Sequence, residues 1–219
     1  SKAVVMASGG WINKHIVEDL PVEHKKAYDQ FNHAPMLVAN VALTNWRFLE
    51  KLGITAYQWK GGFGFHTNIR KPMHVGKYQP DLDPNKPITL TFYVSFEKTN
   101  QGLSAQQQSR IGQYEMLGKT YMQYEREIRQ QMVKLFGGSG FDPKNDIAGI
   151  ILNRWGHAYV TPTPGFFYSP DGGPGYSQII KNQPFGRISF GHSELRGYQH
   201  WGPAAEEGSR AVDQLVDFI

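Results

Sequence analysis

The 219-residue chain contains no cysteine, which excludes disulfides, thiolate nucleophiles and thiolate-bound zinc. No run approaches the ~18 apolar residues that span a bilayer. No basic start, apolar run and small-residue cleavage site marks a signal peptide. Charge is sparse: Asp, Glu, Lys and Arg make up 19% of the residues, and the net charge is +4. No cluster of Lys or Arg concentrates that charge, so the sequence gives no nucleic-acid footprint. Two catalytic signatures are missing as well, the G-x-S-x-G nucleophile elbow and the G-x-x-x-x-G-K-[ST] phosphate loop. The eight histidines, His15, His24, His33, His66, His74, His157, His192 and His200, include no H-E-x-x-H or H-x-H pair. No helical metal site is therefore legible, and each His reads as a surface or hydrogen-bonded residue. "GGFGF" (61–65) and "GGSGFD" (137–142) miss the full G-x-G-x-x-G spacing and read as turns.

What is present describes a folded chain rich in strands and turns. Hydrophobic residues make up 40%, aromatics 13%, with 24 Gly and 13 Pro. The length allows a real core, in one large domain or two lobes. "AVVMA" (3–7) is apolar at successive positions and reads as a fully buried strand broken by Ser8-Gly9-Gly10-Trp11. The chain enters this strand without a lead-in, and on that ground is read as a fragment. "PVEHKKAYDQF" (21–31) reads as a short helix begun by Pro21. "PMLVANVALTNW" (35–46) reads as a strand, and 53–97 as a β-meander separated by turn chemistry.

One long helix is predicted over 105–136, because Leu117, Tyr121, Tyr124, Ile128, Met132 and Leu135 recur at helical spacing. Glu125 and Arg129 form an i,i+4 pair on it, and "FGGSGFDP" (136–143) ends it. "IAGIILNRWGHAYV" (147–160) reads as a strand, 161–176 as a Pro/Gly loop, and "GRISFG" as a final short strand. A helix over 203–219 would bury Ala204, Gly208, Ala211, Val212 and Leu215. With Pro203 at its first position and Ala204-Ala205 following, its first amides are sterically open. Such an end suits a planar anionic group, and Glu194, just past the strand, is placed to accept hydrogen bonds from ligand hydroxyls. An ordinary capped helix is the alternative.

"FGRISFGHSELRGYQHWGPAAEEGSRAV" resembles the C-terminal flavin-binding segment of the FAD-dependent amine oxidase superfamily. With "PMLVANVALTNWRFLEKLGI" (35–54) and "YMQYEREIRQQMVKLFGGSGFDPKNDIAGIILNRWGHAYV" (121–160) it is similar to the spermidine dehydrogenase-like branch of bacterial FAD/NAD(P)-binding oxidoreductases. The resemblance covers well over half of the chain, in the family's order. It implies an α/β fold with α+β character, the C-terminal portion of a two-domain flavoprotein. Residues 1–31 and 151–219 would belong to the FAD-binding domain, whose glycine fingerprint lies outside this sequence. Residues 32–150 would form a substrate domain with a mixed sheet and helices. FAD is the implied cofactor and a hydride from a C–H beside an amine the implied reaction. Ser8, Gly9, Gly10 and Trp11 would meet the cofactor on the return strand. Glu194 would bind the ribityl chain, and Trp201, Gly202, Ala204 and Ala205 would face the flavin. Trp155, His157 and Tyr159 would line the substrate side as the catalytic set. Lys60 is weighed against the lysine that holds a water near the flavin in related oxidases, and reads as a solvated lysine.

The implied partners are an amine donor, the N-terminal segment or a companion chain carrying it, an electron-acceptor protein and a second copy of the chain. For location, the resemblance points to the bacterial periplasm, with the cytoplasm as the alternative; no residue of the sequence decides between them. "GHSEL" departs from the family's Asn-Ser-Asp-type turn, and "GPAAEEG" from its usual helix start. Both lie beside the implied flavin site and leave the substrate open. A non-catalytic, β-rich binding or assembly protein on a degenerate flavoprotein fold is the alternative function.

Overall fold

The computed structural model describes residues 1–70 and 73–218. The chain divides into two compact units, one of residues 1–34, 98–110 and 157–219, the other of residues 35–97 and 111–156.

The second unit is built on a five-stranded sheet. Its strands are β3 (Ala56–Gln58), β4 (His66–Ile69), β5 (Ile88–Ser95) and the greater part of β2 (Asn32–Leu43) and β6 (Ile147–Thr161), whose residues 32–34 and 157–161 count with the first unit; the order is β3-β4-β5-β2-β6. The predicted meander is present: β3, β4 and β5 pair antiparallel in sequence order. β2 then pairs with β5 from Met36↔Ser95 to Leu43↔Ile88. Period-two alternation sends Leu37, Ala39, Val41 and Leu43 of β2 into the core with Leu90, Phe92 and Val94 of β5. Against them pack Tyr124, Ile128, Met132 and Phe136. A short helix, α3 (Arg47–Leu52), follows β2 and adds Phe48 and Leu49 to this core.

The single helix expected over 105–136 is two helices, α4 (Ala105–Gly118) and α5 (Tyr121–Phe136). The break has a local cause. Thr120 caps α5 with a capping box: Gln123 N–H donates to Thr120 Oγ1 at 3.3 Å, and Thr120 N–H donates to Gln123 Oε1 at 2.8 Å. Gly118, a poor helix former, sits just before it. Leu117 and Tyr121 therefore leave the apolar stripe and are exposed, while Tyr124, Ile128 and Met132 stay buried. The Glu125–Arg129 pair is present at 2.9 Å.

The first unit contains β1 (Val4–Met6) and β7 (Ile188–Phe190), paired parallel with Val4 opposite Ile188. Its helices are α1 (Gly10–Ile16), α2 (Val22–Tyr28), α6 (Tyr176–Lys181) and α7 (Trp201–Asp213). Its core gathers Leu20, Tyr28, Phe31, Phe166, Ile180 and Phe190. β1 is a strand where the sequence placed one, but it is not fully buried: Val4 is 39% exposed. Its one strand neighbour among the described residues is β7, which covers one edge only.

The last helix also differs from expectation. It starts at Trp201 with His200 as N-cap, so Pro203 is its third residue, and Ala204 N–H already donates to His200 O at 3.1 Å. Its buried side is Pro203, Glu207 and Ala211, whereas Ala204 and Val212 are exposed. The reason is Glu207, which an apolar count places outside. Its buried carboxylate is held by Arg210 at 2.7 Å and Arg196 at 3.0 Å, with Lys181 at 3.8 Å. The ion pairs turn the acid inward and the small residues Ala204 and Gly208 outward.

Candidate functional site

β1 and β7 run parallel and end side by side, and the chain leaves each end through small residues. Beyond those ends lies a cleft of about 580 Å³. Val5, Ala7 and Gly9 line it from the first strand, Gly191 to Glu194 and Gln199 from the second, and Ala204, Gly208 and Val212 from α7. Gly191 makes the close packing of α7 feasible, since a Cβ there would stand 2.8 Å from Ala211 Cβ and 3.0 Å from Glu207 O. Gly208 has the opposite role. A Cβ built on it meets nothing within 4 Å, so its missing side chain widens the cleft. Val5, Ala7, Ala204 and Val212 make an apolar wall.

Glu194 is the charged group of this cleft, only 3% exposed. Its Oε2 accepts a hydrogen bond from Gly10 N–H at 2.8 Å, and His33 Nε2 lies 3.2 Å from the same oxygen in an ion-pair contact. Its Oε1 accepts from Gln199 Nε2 at 3.1 Å, and Gln199 is fixed in turn by Val160 N–H, which donates to Gln199 Oε1 at 2.6 Å. Cβ atoms on Gly9 and Gly10 would each stand 3.0 Å from a Glu194 oxygen, so this glycine pair is what admits the carboxylate. Burial alone would raise the Glu194 pKa. The His33 contact and charge and the Gly10 N–H outweigh it and hold the group below the ordinary carboxylate value.

Beside Glu194 a buried polar chain continues. Asn13 Nδ2 donates to Ser8 O at 3.0 Å and to Tyr28 OH at 3.3 Å, and Tyr28 OH lies 3.5 Å from His192 Nε2. Ser8 Oγ donates to Asn13 Oδ1. Burial raises the Tyr28 pKa and pushes His192 down to about 4, so both are neutral near pH 7. His192 Nδ1 is buried with no hydrogen-bond partner among the described residues.

Of the residues singled out in the sequence, the structure gathers Gly9, Glu194 and Ala204 at the cleft, with Gly10 bonded to Glu194 and Ser8 spent on Asn13 behind it. Trp11 and His157 stack face to face, centroids 4.3 Å apart, with an interplanar angle of 10°. His157 then meets His33 edge-on at 5.3 Å. Reduced solvation, with the neighbouring His33 charge, lowers the His157 pKa. Trp201 is 78% exposed, Gly202 has open space around it, and Ala205 is exposed. Trp155, His157 and Tyr159 share one face of β6 at i, i+2 and i+4, all exposed. Lys60 is exposed in the turn after β3.

Sequence reasoning missed His33, Gln199, His192, Asn13 and Tyr28. A signal existed for His33. Residues 33, 35, 37 and 39 are the inward set of β2, and His33 is its one polar member. The polar chain through Asn13 and Gln199 left no such trace, because its partners are distant in sequence.

No protein-family model and no curated protein matches the chain. Solved structures do match. Putrescine oxidase bound to putrescine aligns with a TM-score of 0.61 at 12% identity, over 98% of this chain and 42% of that one. A cofactor-binding variant of putrescine oxidase aligns with a TM-score of 0.63 at 13% identity, over the same shares. Cyclohexylamine oxidase from Brevibacterium oxydans aligns with a TM-score of 0.54 at 14% identity, over 99% of this chain and 42% of that one. The chain thus has the mixed α/β fold of one part of these amine oxidases, and spans 42% of their length.

Proposed function

We propose that this chain is the carboxy-terminal part of an FAD-dependent oxidoreductase that oxidises an amine. The observation that carries the reading is the match of 98% of the chain to putrescine oxidase, together with a cleft built around a buried carboxylate. The residues present fit the cofactor. Glu194 Oε1 has one donor, Gln199, and so keeps an acceptor direction for a ribityl hydroxyl. Gly208 leaves space where a side chain would intrude, and the Val5, Ala7, Ala204 and Val212 wall takes apolar surface. Trp201 and Gly202 N–H, the open donors at the start of α7, suit the anionic edge of a reduced flavin.

When bound, FAD supplies the hydride acceptor. The chain's own residues bind, orient and exclude water. Ser8, Gly9, Gly10 and Trp11 line the return from β1, with Ser8 acting through Asn13. Trp155, His157 and Tyr159 present one aromatic face on β6 to the donor. His157, with its lowered pKa, is neutral near pH 7 and places no positive charge beside an ammonium substrate. Within the family, the spermidine dehydrogenase-like branch is the finer reading. A polyamine would gain from nearby carboxylates, and residues 147–161 contain none, so the donor we propose is an amine with a single charged centre.

The partner that completes the site is the segment bearing the glycine fingerprint. Parallel strands occur in sheets covered on both faces, and β1–β7 is a parallel pair with three residues in each strand. The test is purification of the full-length gene product. A yellow protein whose flavin bands bleach on anaerobic addition of a monoamine is the expected result. A colourless protein that takes up no FAD would sink the reading and favour the non-catalytic alternative.

A further inference from the structure

Arg70, just past β4, carries a guanidinium that the sheet holds in place without neutralising it. Its backbone N–H donates to Thr89 O of β5 at 2.8 Å, which fixes the stem. Its Nε donates to Thr91 Oγ1 at 3.0 Å and its Nη2 to Tyr93 OH at 3.0 Å. Thr91 is fully buried and donates in turn to Asn40 Oδ1 of β2 at 2.8 Å. Thr91 and Tyr93 alternate with Leu90, Phe92 and Val94, so Arg70 lies on the sheet face opposite the core. Both of its side-chain partners are neutral hydroxyls, and among the described residues no carboxylate pairs with it. An arginine has five N–H donors, and these hydroxyls take the side-on pair, Nε and Nη2. Three donors remain on Nη1 and Nη2, including the end-on pair that matches the two oxygens of a carboxylate.

Arg70 lines a cavity of about 860 Å³ and is the one charged side chain among its described lining residues. The wall includes Ala56, Ile69, Met73, Val75 and Tyr78. Met73 is 75% exposed, and Val75 and Tyr78 are 64% exposed each, an apolar cluster left to water beside a fixed cation. The turn that carries the last two is closed: Val75 N–H donates to Tyr78 O and Tyr78 N–H to Val75 O, both at 3.0 Å, around Gly76 at φ 58°. A single guanidinium offers one charge and a planar fork, which suits a monoanionic carboxylate. A phosphate dianion would call for a second cation or a cradle of backbone N–H groups. We propose that this cavity binds a monocarboxylate with an apolar body, the carboxylate on Arg70 Nη1 and Nη2 and the body against Met73, Val75 and Tyr78. The site lies wholly within the second unit and does not depend on the reading of the cleft in the first unit as a flavin site.

The experiment titrates the full-length protein with phenylacetate, acetate and the neutral phenylacetamide by calorimetry, and follows the Arg70 Nε–H signal in NMR spectra. Phenylacetate is expected to bind saturably and to shift that signal, and phenylacetamide to bind at least about tenfold more weakly. Arg70→Gln is expected to weaken phenylacetate roughly tenfold to a hundredfold, the range for losing a charge-assisted contact. Arg70→Lys is expected to fall between, because an ammonium keeps the charge and loses the fork. Tyr78→Ser is expected to bring phenylacetate closer to the affinity of acetate, which does not use the apolar wall. Absence of saturable phenylacetate binding, an equal affinity for phenylacetamide, or an Arg70→Gln protein that binds as wild type does overturns the proposal. A carboxylate of the full-length protein already seated on Arg70 would read as the first of these outcomes. Should Arg70→Gln not fold, the Arg70→Lys and phenylacetamide comparisons carry the same decision. None of these readouts uses flavin, so their failure leaves the flavin reading standing, and a protein that takes up no FAD is tested in the same way.

Discussion

His192 sits 5% exposed behind the cleft, with Nδ1 unpartnered and Nε2 at 3.5 Å from Tyr28 OH. Burial lowers its pKa from 6.5 to about 4, and the direction fixes how stability responds to acid. Above pH 6.5 the imidazole is neutral in both folded and unfolded chains and contributes no pH dependence. Between pH 6.5 and about 4 only the unfolded chain takes up the proton, so stability falls as pH falls. The slope is up to about 1.4 kcal/mol per pH unit, for a total of order 3 kcal/mol. Below that window the folded chain titrates too, and this group adds no further loss. His24, also lowered by burial, acts in the same sense. Glu194, held below its ordinary value, loses its contribution as pH drops through its folded pKa. Unfolding free energy measured by urea titration from pH 7.5 to 4 is therefore expected to decline. His192→Asn is expected to flatten that decline by about one proton's worth. An unchanged acid limb in the variant would assign the loss to other groups.

At the scale of elements, the break between α4 and α5 rests on four atoms. Three hydrogen bonds join Thr120 and Gln123, and these fix where α5 begins and hence which face carries Tyr124, Ile128 and Met132 into the sheet. Thr120→Ala removes the cap acceptor and is expected to cost about 1 kcal/mol, read as a lowered urea midpoint with unchanged slope. Thr120→Ser is expected to be close to neutral, and an Ala variant as stable as wild type would show that packing alone sets the boundary. The same pair shows how the elements were legible. Spacing of apolar residues identified the α5 stripe, the alternation of β2 and β5 and the meander, because burial of one face writes itself into the sequence as a period. The break did not show, since Leu117 and Tyr121 carry the period across it while the T-x-x-Q signal is local and polar. In α7 the reverse error occurred. Glu207 counted as a wet residue, yet Arg196, Arg210 and Lys181 pair with it inside. Long-range ion pairs leave no periodic trace. The cleft divides likewise: Gly9, Gly10 and Glu194 stood out as residue types, whereas Gly10 meets Glu194 across 184 positions, and Gln199 was invisible until that contact closed.

For the whole molecule, the two sheets differ in how complete they are. In the second unit β2 and β5 are central strands, paired on both edges, with α5 packed on one face. In the first unit β1 and β7 form a two-stranded parallel ladder joined at its ends by Val4 N–H to Arg187 O at 2.9 Å and Gly191 N–H to Met6 O at 3.0 Å. Ladders of this size are marginal by themselves, and Val4 is 39% exposed where a buried strand was expected. The physical consequence is a difference in local stability. Amides of Ala39, Val41, Leu90 and Phe92 are expected to exchange only by global opening, because these residues lie inside the largest apolar cluster among the described residues. Amides of β1 and β7 are expected to exchange by a smaller, sub-global opening, on the order of a hundredfold faster in this chain alone. In the full-length protein, where the proposed fingerprint segment would add strands and the proposed cofactor would fill the cleft, β1 and β7 are expected to join the slow set, since ligand bound to the folded state raises every opening that would release it. Hydrogen exchange read by mass spectrometry on both proteins makes the comparison directly. Equal protection of β1 and β2 in this chain alone would mean that the parallel pair is complete as it stands, and would remove the structural argument for a partner at its edge.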